Sequence, residues 1–217
     1  DNFVYFLEQY IKGMELFDVI RDIGILDTPQ AQFYVGSLIL AIEHLHSQNI
    51  IYRDLKPENV MVDHHGYVKM IDLGTAKFLK SKTQRTFTTI GTPHYMAPEV
   101  IIGKGYTLLA DLWSIGICLF EFMCGSLPFG ESSEDPTEVC EEILTKPVKF
   151  TSYCRDKNAK KFMNQLINKV PEVRLGSSYA SLKAHPWFEN FDWDKLADKE
   201  LTPAYVPPVK KLISDEE

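Results

Sequence analysis

The sequence predicts a mainly helical α+β fold with a few short β-hairpins. Apolar residues recur at helical spacing in three long segments, residues 28–47, 112–123 and 159–170, whereas the runs typical of strands are only three to five residues long. The chain has 217 residues, 45% of them hydrophobic and 24% charged, which is ordinary for a globular protein with a sizeable core.

The amino-terminal segment predicts a strand followed by a short helix. Residues 3–7 are rich in aromatic and β-branched side chains, which favours a strand. Residues 12–14 predict a turn around Gly13, and a short helix is expected to begin with residues 15–20.

The next helix has a clear start signal. Asp27 is a good N-cap residue, Pro29 suits the first helical turn, and Gln30 stands at the capping-box position. Apolar residues then follow at three- and four-residue steps as far as Ser47, which predicts one buried face.

Short strands and a buried helix are expected in the middle of the chain. Residues 60–62 and 67–71 favour two strands, joined by the turn residues 63–66 into a hairpin. Residues 81–92 are polar and predict an exposed loop. Residues 112–123 are almost wholly apolar and predict a central buried helix.

Two amphipathic helices and a tail complete the chain. Residues 140–144 and 159–170 predict the helices. From about Phe191 the periodicity decays, and the later prolines and acidic residues predict an extended tail rather than a packed element.

Composition excludes several classes of function. A net charge of -7 argues against general binding to nucleic acids or anionic membranes and favours a basic partner or substrate. The four cysteines form no C-x-x-C pair, so we expect reduced thiols in a cytoplasmic protein and no zinc site. No signal peptide or membrane-spanning segment is predicted. The chain begins with Asp1 rather than methionine, so it is expected to be a piece of a longer protein.

One loop concentrates charged and polar residues between two apolar runs. It contains Asp54, Lys56 and Asn59, and the predicted hairpin should fold Asp72 back beside Asn59. A carboxylate and an amide oxygen placed in this way can hold Mg²⁺, which prefers hard oxygen ligands and keeps waters or phosphate oxygens in its shell. Asp54 would then orient a hydroxyl and Lys56 would neutralise a phosphoryl group, which is nearly all that phosphoryl transfer requires of a protein.

Three motifs, in this order along the chain, resemble those of a known protein family. The sequences YRDLKPEN at residues 52–59, DLG at 72–74 and APE at 97–99 resemble the catalytic loop, the magnesium loop and the end of the activation segment of eukaryotic serine/threonine protein kinases. Tyr52 in place of histidine, with the sequence GTPHYMAPE, is similar to the AGC group. The sequences GTPHYMAPEVIIGKGY, CGSLPFG and HPWFENFDWDKLA are most similar to cyclic-GMP-dependent protein kinases.

The resemblance implies catalytic and nucleotide-binding roles. Asp54 is implied to be the base that accepts the substrate hydroxyl proton, Lys56 to act on the phosphoryl group, and Asn59 and Asp72 to hold the magnesium ion. The implied ATP contacts are Gln9, Ile11, Glu15, Glu58, Asn59, Met61, Ile71 and Asp72.

The resemblance also implies a site for a basic peptide substrate. Glu15, Glu58 and Glu121 stand where these kinases contact substrate arginines, and Thr92 is implied to contact the substrate. Two alternatives stay open: Glu15 can be a carboxylate that stabilises a helix start, and Glu121 can form a purely structural ion pair.

Regulatory and structural residues follow from the same motifs. Thr88 aligns with the activation-loop phosphothreonine, whose phosphate Arg53 could receive, although Thr86 or Thr89 could be modified instead. Glu99 is implied to pair with Arg174, and Asp111 to hold the backbone of the catalytic loop.

Some parts of a protein kinase are not recognisable in these 217 residues. The sequence contains no G-x-G-x-x-G motif. The resemblance therefore implies a protein-kinase-like C-terminal lobe with its hinge strand in residues 1–188, the amino-terminal lobe being absent, and a truncated AGC carboxy-terminal extension in residues 189–217. Glu8 would occupy the gatekeeper position, or the hinge itself if the alignment slips by one residue, and Met14 replaces a usual glycine.

The sequence thus predicts a serine/threonine kinase that transfers the γ-phosphate of ATP, with Mg²⁺, to basic peptides. The resemblance implies dependence on cyclic GMP in the full-length form, with cyclic-nucleotide-binding domains allowed elsewhere in the same native polypeptide. The alternative is a noncatalytic kinase-like fragment that binds peptides or proteins. We expect the isolated chain to be inactive or to bind MgATP very weakly.

Overall fold

A computed structural model describes residues 3–5, 7–176 and 178–208. The helices of that part are α1 (Leu16–Ile23), α2 (Thr28–Ser47), α3 (Pro98–Ile102), α4 (Leu109–Cys124), α5 (Pro136–Thr145), α6 (Lys157–Leu166), α7 (Tyr179–Lys183) and α8 (Trp193–Ala197). The strands are β1 (Gly13–Glu15), β2 (Ile50–Ile51), β3 (Val60–Asp63), β4 (Val68–Met70) and β5 (Lys77–Phe78). Four single-turn 3₁₀ helices lie at Pro57–Asn59, Pro93–Tyr95, Pro171–Val173 and Pro186–Phe188. The predicted mainly helical α+β fold is confirmed.

Two small antiparallel sheets frame the charged loop. One has the order β1-β3-β4, and the other pairs β2 with β5. The hairpin of β3 and β4 confirms the sequence prediction, and its turn is held by Asp63, whose Oδ1 accepts hydrogen bonds from the backbone amides of His65 (2.9 Å) and Tyr67 (3.0 Å). The charged loop leaves β2 and returns into β3, so both of its ends are fixed by strand pairing.

Helix α4 forms the centre of the core. All of its residues from 110 to 120 are buried, and it packs against α2 and α6. The contact with α6 is close at Gly116, where a side-chain Cβ would lie 2.8 Å from Ile167 Cγ1 and 2.9 Å from Leu166 Cβ. The predicted buried helix is confirmed, and it begins three residues earlier than the sequence predicts.

The start of α2 is also as predicted. Asp27 Oδ1 accepts a hydrogen bond from the Gln30 amide at 2.9 Å, and the Gln30 side chain accepts one from the Asp27 amide at 3.1 Å. This capping box pairs two amides that a helix start leaves without partners inside the helix. Helix α1 begins at Leu16, after Glu15 at its N-cap, as expected.

The strand expected at residues 3–7 and the turn expected at residues 12–14 are not found in the described residues. Residues 3–5 and 7 form no strand and are exposed, while Phe6 lies outside the described residues. A strand requires a pairing partner, and no described strand lies beside this segment. The segment 12–14, predicted as a turn, instead contributes to β1, because Gly13 and Met14 pair with Asp63 and Val62 of β3.

Helix α6 is shorter than predicted. It ends at Leu166, and the segment up to residue 170 is irregular. The Asn168 side chain accepts a hydrogen bond from the Val170 amide at 2.9 Å, and Pro171 disfavours a helical conformation in the residue before it. A local side-chain bond and a proline therefore stop a helix that periodicity alone would extend.

The predicted extended tail is partly wrong. Residues 193–197 form α8, anchored by rings of Phe188, Phe191 and Trp193, and the ring centroids of Phe188 and Trp193 are 4.6 Å apart. Residues 199–208, here called the C-terminal strap, have no regular structure but pack against the fold. Residues 209–217, the rest of the predicted extension, lie outside the described residues.

The C-terminal strap joins distant elements. The hydroxyl of Tyr67, after the β3–β4 turn, donates to the Leu201 carbonyl at 3.0 Å, and the hydroxyl of Tyr205 donates to Asp22 on α1 at 2.8 Å. The strap passes so close to Gly66 that a Cβ there would lie 2.5 Å from Pro203 Cβ.

Within the described part of the chain, none of the helices has both the length and the hydropathy of a membrane span.

Candidate active site

A buried carboxylate on α4 holds the start of the charged loop. Asp111 is 1% exposed, and its oxygens accept hydrogen bonds from the backbone amides of Tyr52 (2.9 Å) and Arg53 (2.8 Å). His46, at the end of α2, places Nε2 2.8 Å from Asp111 Oδ2. The expected contact between Asp111 and the loop backbone is present, and it fixes the loop to the core of the molecule.

Asp54 is the centre of a hydrogen-bonded cluster. Its Oδ1 accepts bonds from the Thr92 amide (2.9 Å) and the Thr92 hydroxyl (2.8 Å), and its Oδ2 accepts one from Asn59 Nδ2 (2.9 Å). Lys56 Nζ donates to the same Thr92 hydroxyl at 2.8 Å and lies 3.8 Å from Asp54 Oδ2. Two residues, Thr92 and Asn59, therefore hold the Asp54 carboxylate in a fixed orientation next to the ammonium group of Lys56.

Asn59 and Asp72 are brought together by the β3–β4 hairpin. The amide of Ile71 donates to the Asn59 carbonyl at 3.1 Å, so Asp72 follows directly after a residue bonded to Asn59. Asn59 Nδ2 is engaged by Asp54, so its amide oxygen points the other way, and the exposed Asp72 carboxylate accepts one bond, from the Gly74 amide at 2.9 Å. One amide oxygen and one carboxylate fit a magnesium ion that completes its shell with water and phosphate oxygens.

The histidine, cysteine and acidic residues give no stronger metal site. Within residues 3–5, 7–176 and 178–208, no three of these side chains are grouped so that they could hold a metal ion. A pair of oxygen ligands from Asn59 and Asp72 remains the only arrangement that the predicted residues supply, and it suits Mg²⁺ rather than zinc.

Backbone strain is found in the same loop. Arg53 has φ of 77° and Asp72 has φ of 53°, the left-handed region that residues other than glycine rarely adopt. Such conformations cost of order 1–3 kcal/mol and persist only where the surroundings determine them. Here the Asp111 bond to the Arg53 amide and the bond from Arg53 Nε to the Thr75 carbonyl (2.5 Å) supply that constraint.

Tyr52 lies among the three carboxylates of the site. Burial raises the pKa of Tyr52 well above its usual value, and the negative charges of Asp54, Asp72 and Asp111 raise it further. Its hydroxyl stays protonated and donates to the Ile71 carbonyl at 2.5 Å. Tyr52 therefore acts as a neutral spacer that links the charged loop to the segment carrying Asp72.

Glu58 and Glu121 form a pair of half-buried carboxylates, here called the acidic pair, and Glu58 directly precedes Asn59 of the Asp54 cluster. The Tyr95 hydroxyl donates to Glu121 Oε2 at 2.7 Å, and Glu58 Oε2 is buried without a hydrogen-bond partner. Burial and, to a smaller extent, the charges of Glu58 and Glu131 together raise the pKa of Glu121 to about 7, although the hydrogen bond from Tyr95 lowers it. Among the described residues no cation pairs with Glu121, so the structural ion pair considered for it is absent.

The other predicted ligand residues lie in or next to the strands of the β1-β3-β4 sheet. Register pairs Glu15 with Met61, which neighbours Val60 and Asn59. Glu15 is exposed at the start of α1, and Met61, Ile71 and Ile11 are partly exposed. Gln9 is exposed and accepts a hydrogen bond from Lys69 Nζ at 3.3 Å. Glu8 is exposed as well, and the structure does not bring it to the Asp54 cluster.

The three threonines of the candidate phosphorylation loop differ in how exposed their side chains are. Thr86 is 1% exposed and its hydroxyl accepts a bond from Lys77 Nζ at 2.9 Å, whereas Thr88 and Thr89 are exposed. The Tyr106 hydroxyl donates to the Thr88 carbonyl at 2.6 Å. Burial raises the pKa of Tyr106, and the positive charge of nearby Arg53 opposes this rise. Thr88 therefore has an accessible hydroxyl with Arg53 nearby, while Thr86 is blocked.

Glu99 and Arg174 form the expected pair. Arg174 Nη1 lies 2.7 Å from Glu99 Oε1 and Nη2 lies 2.9 Å from Oε2, which is a bidentate geometry. The Arg174 side chain is fully buried and also donates to the carbonyls of Leu109 and Asn168. The pair joins α3 to the segment that follows α6, and the Arg174 bond to the Leu109 carbonyl ties both to the start of α4.

Three contacts were not predicted from the sequence. His46 supports Asp111, Lys77 binds Thr86, and Tyr95 binds Glu121. Only His46 had a signal, because it is a polar residue where the buried face of α2 continues. The other two contacts join residues 9 and 26 positions apart, in segments without a periodic pattern that could indicate a partner.

Comparisons with known proteins agree with these motifs. A family model described as a protein kinase domain matches residues 1–188. The chain is 51% identical to a cGMP-dependent protein kinase of Toxoplasma gondii and 50% identical to one of Eimeria tenella, in each case over the whole chain and 22% of the relative. It is 42% identical to a cAMP-dependent protein kinase catalytic subunit of Arthrobotrys oligospora, over 98% of the chain and 40% of that protein. The chain therefore spans about a fifth to two fifths of the length of these relatives.

Proposed function

Since the chain belongs to the protein kinase family, we propose that it carries the catalytic loop of a serine/threonine protein kinase. The proposed reaction transfers the γ-phosphate of ATP to a serine or threonine hydroxyl of a basic peptide. The observation that carries this proposal is the fixed Asp54 carboxylate, which Thr92 and Asn59 hold 3.8 Å from Lys56 Nζ.

In the proposed phosphoryl transfer, each residue of the Asp54 cluster has a separate role. Asp54 has two oxygens with defined donors, and a substrate hydroxyl that reaches its free lone pair can be oriented and lose its proton there. Lys56 is held by Thr92 so that its ammonium group can offset charge on the transferred phosphoryl group. Asn59 and Asp72 would hold Mg²⁺, which supplies positive charge to the phosphates of ATP.

The acidic pair supports a basic substrate. Glu58 has a buried oxygen without a hydrogen-bond partner, and a guanidinium group is the donor best suited to a carboxylate. The charge of -7 for the chain favours approach of the same class of peptide. Glu15, exposed at the edge of the sheet, is proposed as a third contact for the ATP ribose and a substrate arginine.

We propose phosphorylation of Thr88 as a regulatory step. A phosphate adds a charge of about -1.5 to -2 and three acceptor oxygens. Lys77 Nζ donates to the Thr86 hydroxyl, and Arg53 lies near Tyr106, which donates to the Thr88 carbonyl. A phosphate on Thr88 would thereby tie the loop to the same segment that Asp111 supports. Thr89, also exposed, is the alternative site.

Two further proposals concern the native protein. Several are named cGMP-dependent protein kinases, so we propose cyclic-GMP dependence for the native protein, with the nucleotide sensed outside these 217 residues. All four cysteines are free thiols, which is typical of proteins in a reducing compartment and supports a cytoplasmic location. Activation by cyclic GMP and not by cyclic AMP in a transfer assay would support the first proposal.

The test of the catalytic proposal uses the full native polypeptide. Transfer of labelled phosphate from ATP to an arginine-rich peptide is measured for the wild type, for Asp54→Asn, and for the exposed control Asp194→Asn. We expect Asp54→Asn to lower kcat by a factor of roughly 10²–10⁴ and Asp194→Asn to leave it unchanged. Peptide affinity should persist in Asp54→Asn.

Two outcomes would contradict the proposal. Equal kcat values in the wild type and Asp54→Asn would show that Asp54 is not the base. Peptide binding without transfer in the wild type would favour the noncatalytic binding module instead.

A further inference from the structure

A cavity of about 650 Å³ lies away from the Asp54 cluster. It opens between the end of α2, the loop residues 82–85, the connection from α3 to α4, residues 169–176, and Tyr179 at the start of α7. Pockets that bind small molecules are typically about 300–1,000 Å³, so this cavity has the size of a ligand site. None of Asp54, Asn59, Asp72 and Thr88 lines it.

The inner wall of the cavity is apolar. Ile102, Leu108, Leu109 and Pro171 contribute aliphatic surface, and Tyr106 contributes an aromatic ring. Ile102 is 50% exposed, which is unusual for a residue of this type and is explained by its position on the open cavity. A flat apolar group could therefore be buried here.

The rim of the cavity is cationic. Lys82, Arg85 and Lys104 are exposed around it, and Arg85 makes a long bond to the Lys104 carbonyl at 3.3 Å. A fourth cation, Lys169, donates to the Lys146 carbonyl at 2.6 Å. This clustering stands out in a chain whose net charge is -7.

The carboxylates of the cavity do not cancel this rim. Glu99 is paired with Arg174 and Glu43 is paired with Lys183, so each faces a cation of its own. Glu172 is the third carboxylate and is exposed. The rim therefore keeps an excess of positive charge above an apolar wall.

The floor of the cavity adds polar groups with defined partners. Tyr179 places its hydroxyl 2.7 Å from His46 Nδ1, and the other nitrogen of that ring contacts Asp111 at 2.8 Å. The hydroxyl of Tyr179 is thus directed at His46 and not into the cavity centre. The floor is rigid, which suits a preformed binding site.

We propose that this cavity binds a small organic anion whose body is flat and apolar. The carboxylate, sulfonate or phosphate of such a ligand would lie among Lys82, Arg85 and Lys104, and its ring system would pack on Ile102, Leu109 and Tyr106. The charge of the rim selects the anion, and the apolar wall supplies the area that an inorganic ion could not use.

Photolabelling with 4-benzoylbenzoate tests this proposal, since that probe combines two rings with a carboxylate. Its neutral counterpart, benzophenone, lacks only the carboxylate and serves as the ligand control. We expect 4-benzoylbenzoate to label peptides that contain residues 99–109 or 169–183, as identified by mass spectrometry, and benzophenone to label them at least about tenfold less, which corresponds to about 1.4 kcal/mol.

Three variants identify the source of the affinity. Lys82→Glu with Lys104→Glu reverses two rim charges, and Ile102→Asp places a negative charge on the wall without changing any lysine. Both should reduce labelling by 4-benzoylbenzoate about tenfold. Lys149→Glu, an exposed charge reversal outside the cavity, should leave it unchanged.

The proposal is overturned if the label lies mainly in other peptides. It is also overturned if both cavity variants are labelled as efficiently as the wild type, or if benzophenone labels the cavity as well as the acid does. The far-UV circular dichroism of each variant is recorded, so that loss of labelling is compared only among folded proteins.

Discussion

Glu121 is an ionisable group whose burial has a thermodynamic cost. Desolvation raises its pKa from the usual 4.5 to about 7, so in this pH range the folded protein holds a proton that the unfolded chain has released. The stabilising contribution of protonated Glu121 is complete below pH 4.5 and is lost as the pH rises through about 7. Ionised Glu121 thus destabilises the free protein at neutral pH, and a cationic substrate would offset this cost.

Glu121→Gln should therefore change the pH dependence of stability. Glutamine can still accept the hydrogen bond from Tyr95 but carries no charge. We expect the free energy of unfolding of Glu121→Gln to exceed that of the wild type by about 1–3 kcal/mol at pH 8, with little difference at pH 4.5. Urea denaturation at both pH values measures this, with exposed Glu141→Gln as the control. The same difference at pH 4.5 and pH 8 would contradict the assignment.

The ion pair of Glu99 and Arg174 is a second place where burial determines the free energy cost of a substitution. Glu99→Ala leaves the fully buried Arg174 guanidinium with only carbonyl partners. Removing one partner of a buried pair costs about 3–5 kcal/mol. Lys146→Ala breaks an exposed pair with Glu142 and should cost less than about 1 kcal/mol. Similar losses in urea denaturation for both variants would show that burial of Arg174 does not govern the cost.

Residue identities in the site were largely predictable, but their partners were not. The order of Asp54, Asn59 and Asp72 along the chain is a motif that the sequence displays directly. The bonds of Thr92 to Asp54 join residues 38 positions apart, and those of His46 to Asp111 join residues 65 positions apart. The family resemblance implies Thr92 as a substrate contact but not as a partner of Asp54. The periodicity of α2 places His46 where the buried face continues, but it does not indicate Asp111 as the partner.

At the scale of elements, the packing of α4 on α6 depends on Gly116. Gly116→Ala would place a methyl group within 3 Å of Leu166 Cβ and Ile167 Cγ1, close to the backbone of α6. We expect a loss of about 1–3 kcal/mol in the free energy of unfolding, despite the better helix propensity of alanine. In Gly36→Ala the nearest atoms are the side-chain tips of Leu196 and Phe191, which can move, so its loss should be smaller. Thermal denaturation compares the two, and the opposite order would contradict this account.

Helices were predicted better than strands, for a physical reason. A helix satisfies its backbone within one segment, so the capping signal at Asp27 and the periodicity of α2 were sufficient. A strand is stabilised by its neighbour, so residues 3–7 resembled a strand without having one to pair with, and Gly13–Glu15 became a strand because β3 lies beside it.

At the scale of the whole molecule, the C-terminal strap holds α1 and the β3–β4 turn together. Gly66 has φ of 90°, and a Cβ there would lie 2.6 Å from the Tyr205 carbonyl oxygen. Gly66→Ala should therefore cost at least about 2 kcal/mol, from backbone strain and from displacement of the strap. Gly103 has φ of 72°, but a Cβ there would meet no atom within 4 Å. Gly103→Ala should therefore lower the free energy of unfolding by only about 1 kcal/mol.

Limited proteolysis distinguishes these two effects. Cleavage within residues 199–208 should become faster in Gly66→Ala and stay at the wild-type rate in Gly103→Ala. Equal cleavage rates in all three proteins would show that the strap does not depend on close approach to Gly66. The tail prediction was partly wrong just before the strap, at α8, because the irregular spacing of the aromatic anchors Phe188, Phe191 and Trp193 gives no periodic signal.

The bonds from Asp111 to the backbone have a consequence for motion. The amides of Tyr52 and Arg53 belong to an irregular loop, yet their acceptor is a carboxylate in the middle of the most buried helix. Exchange of these two protons with solvent requires α4 to separate from the loop, so it should be as slow as exchange within the core helices and report global unfolding. The loop that holds Asp54 is therefore expected to open to solvent as slowly as the core helices do.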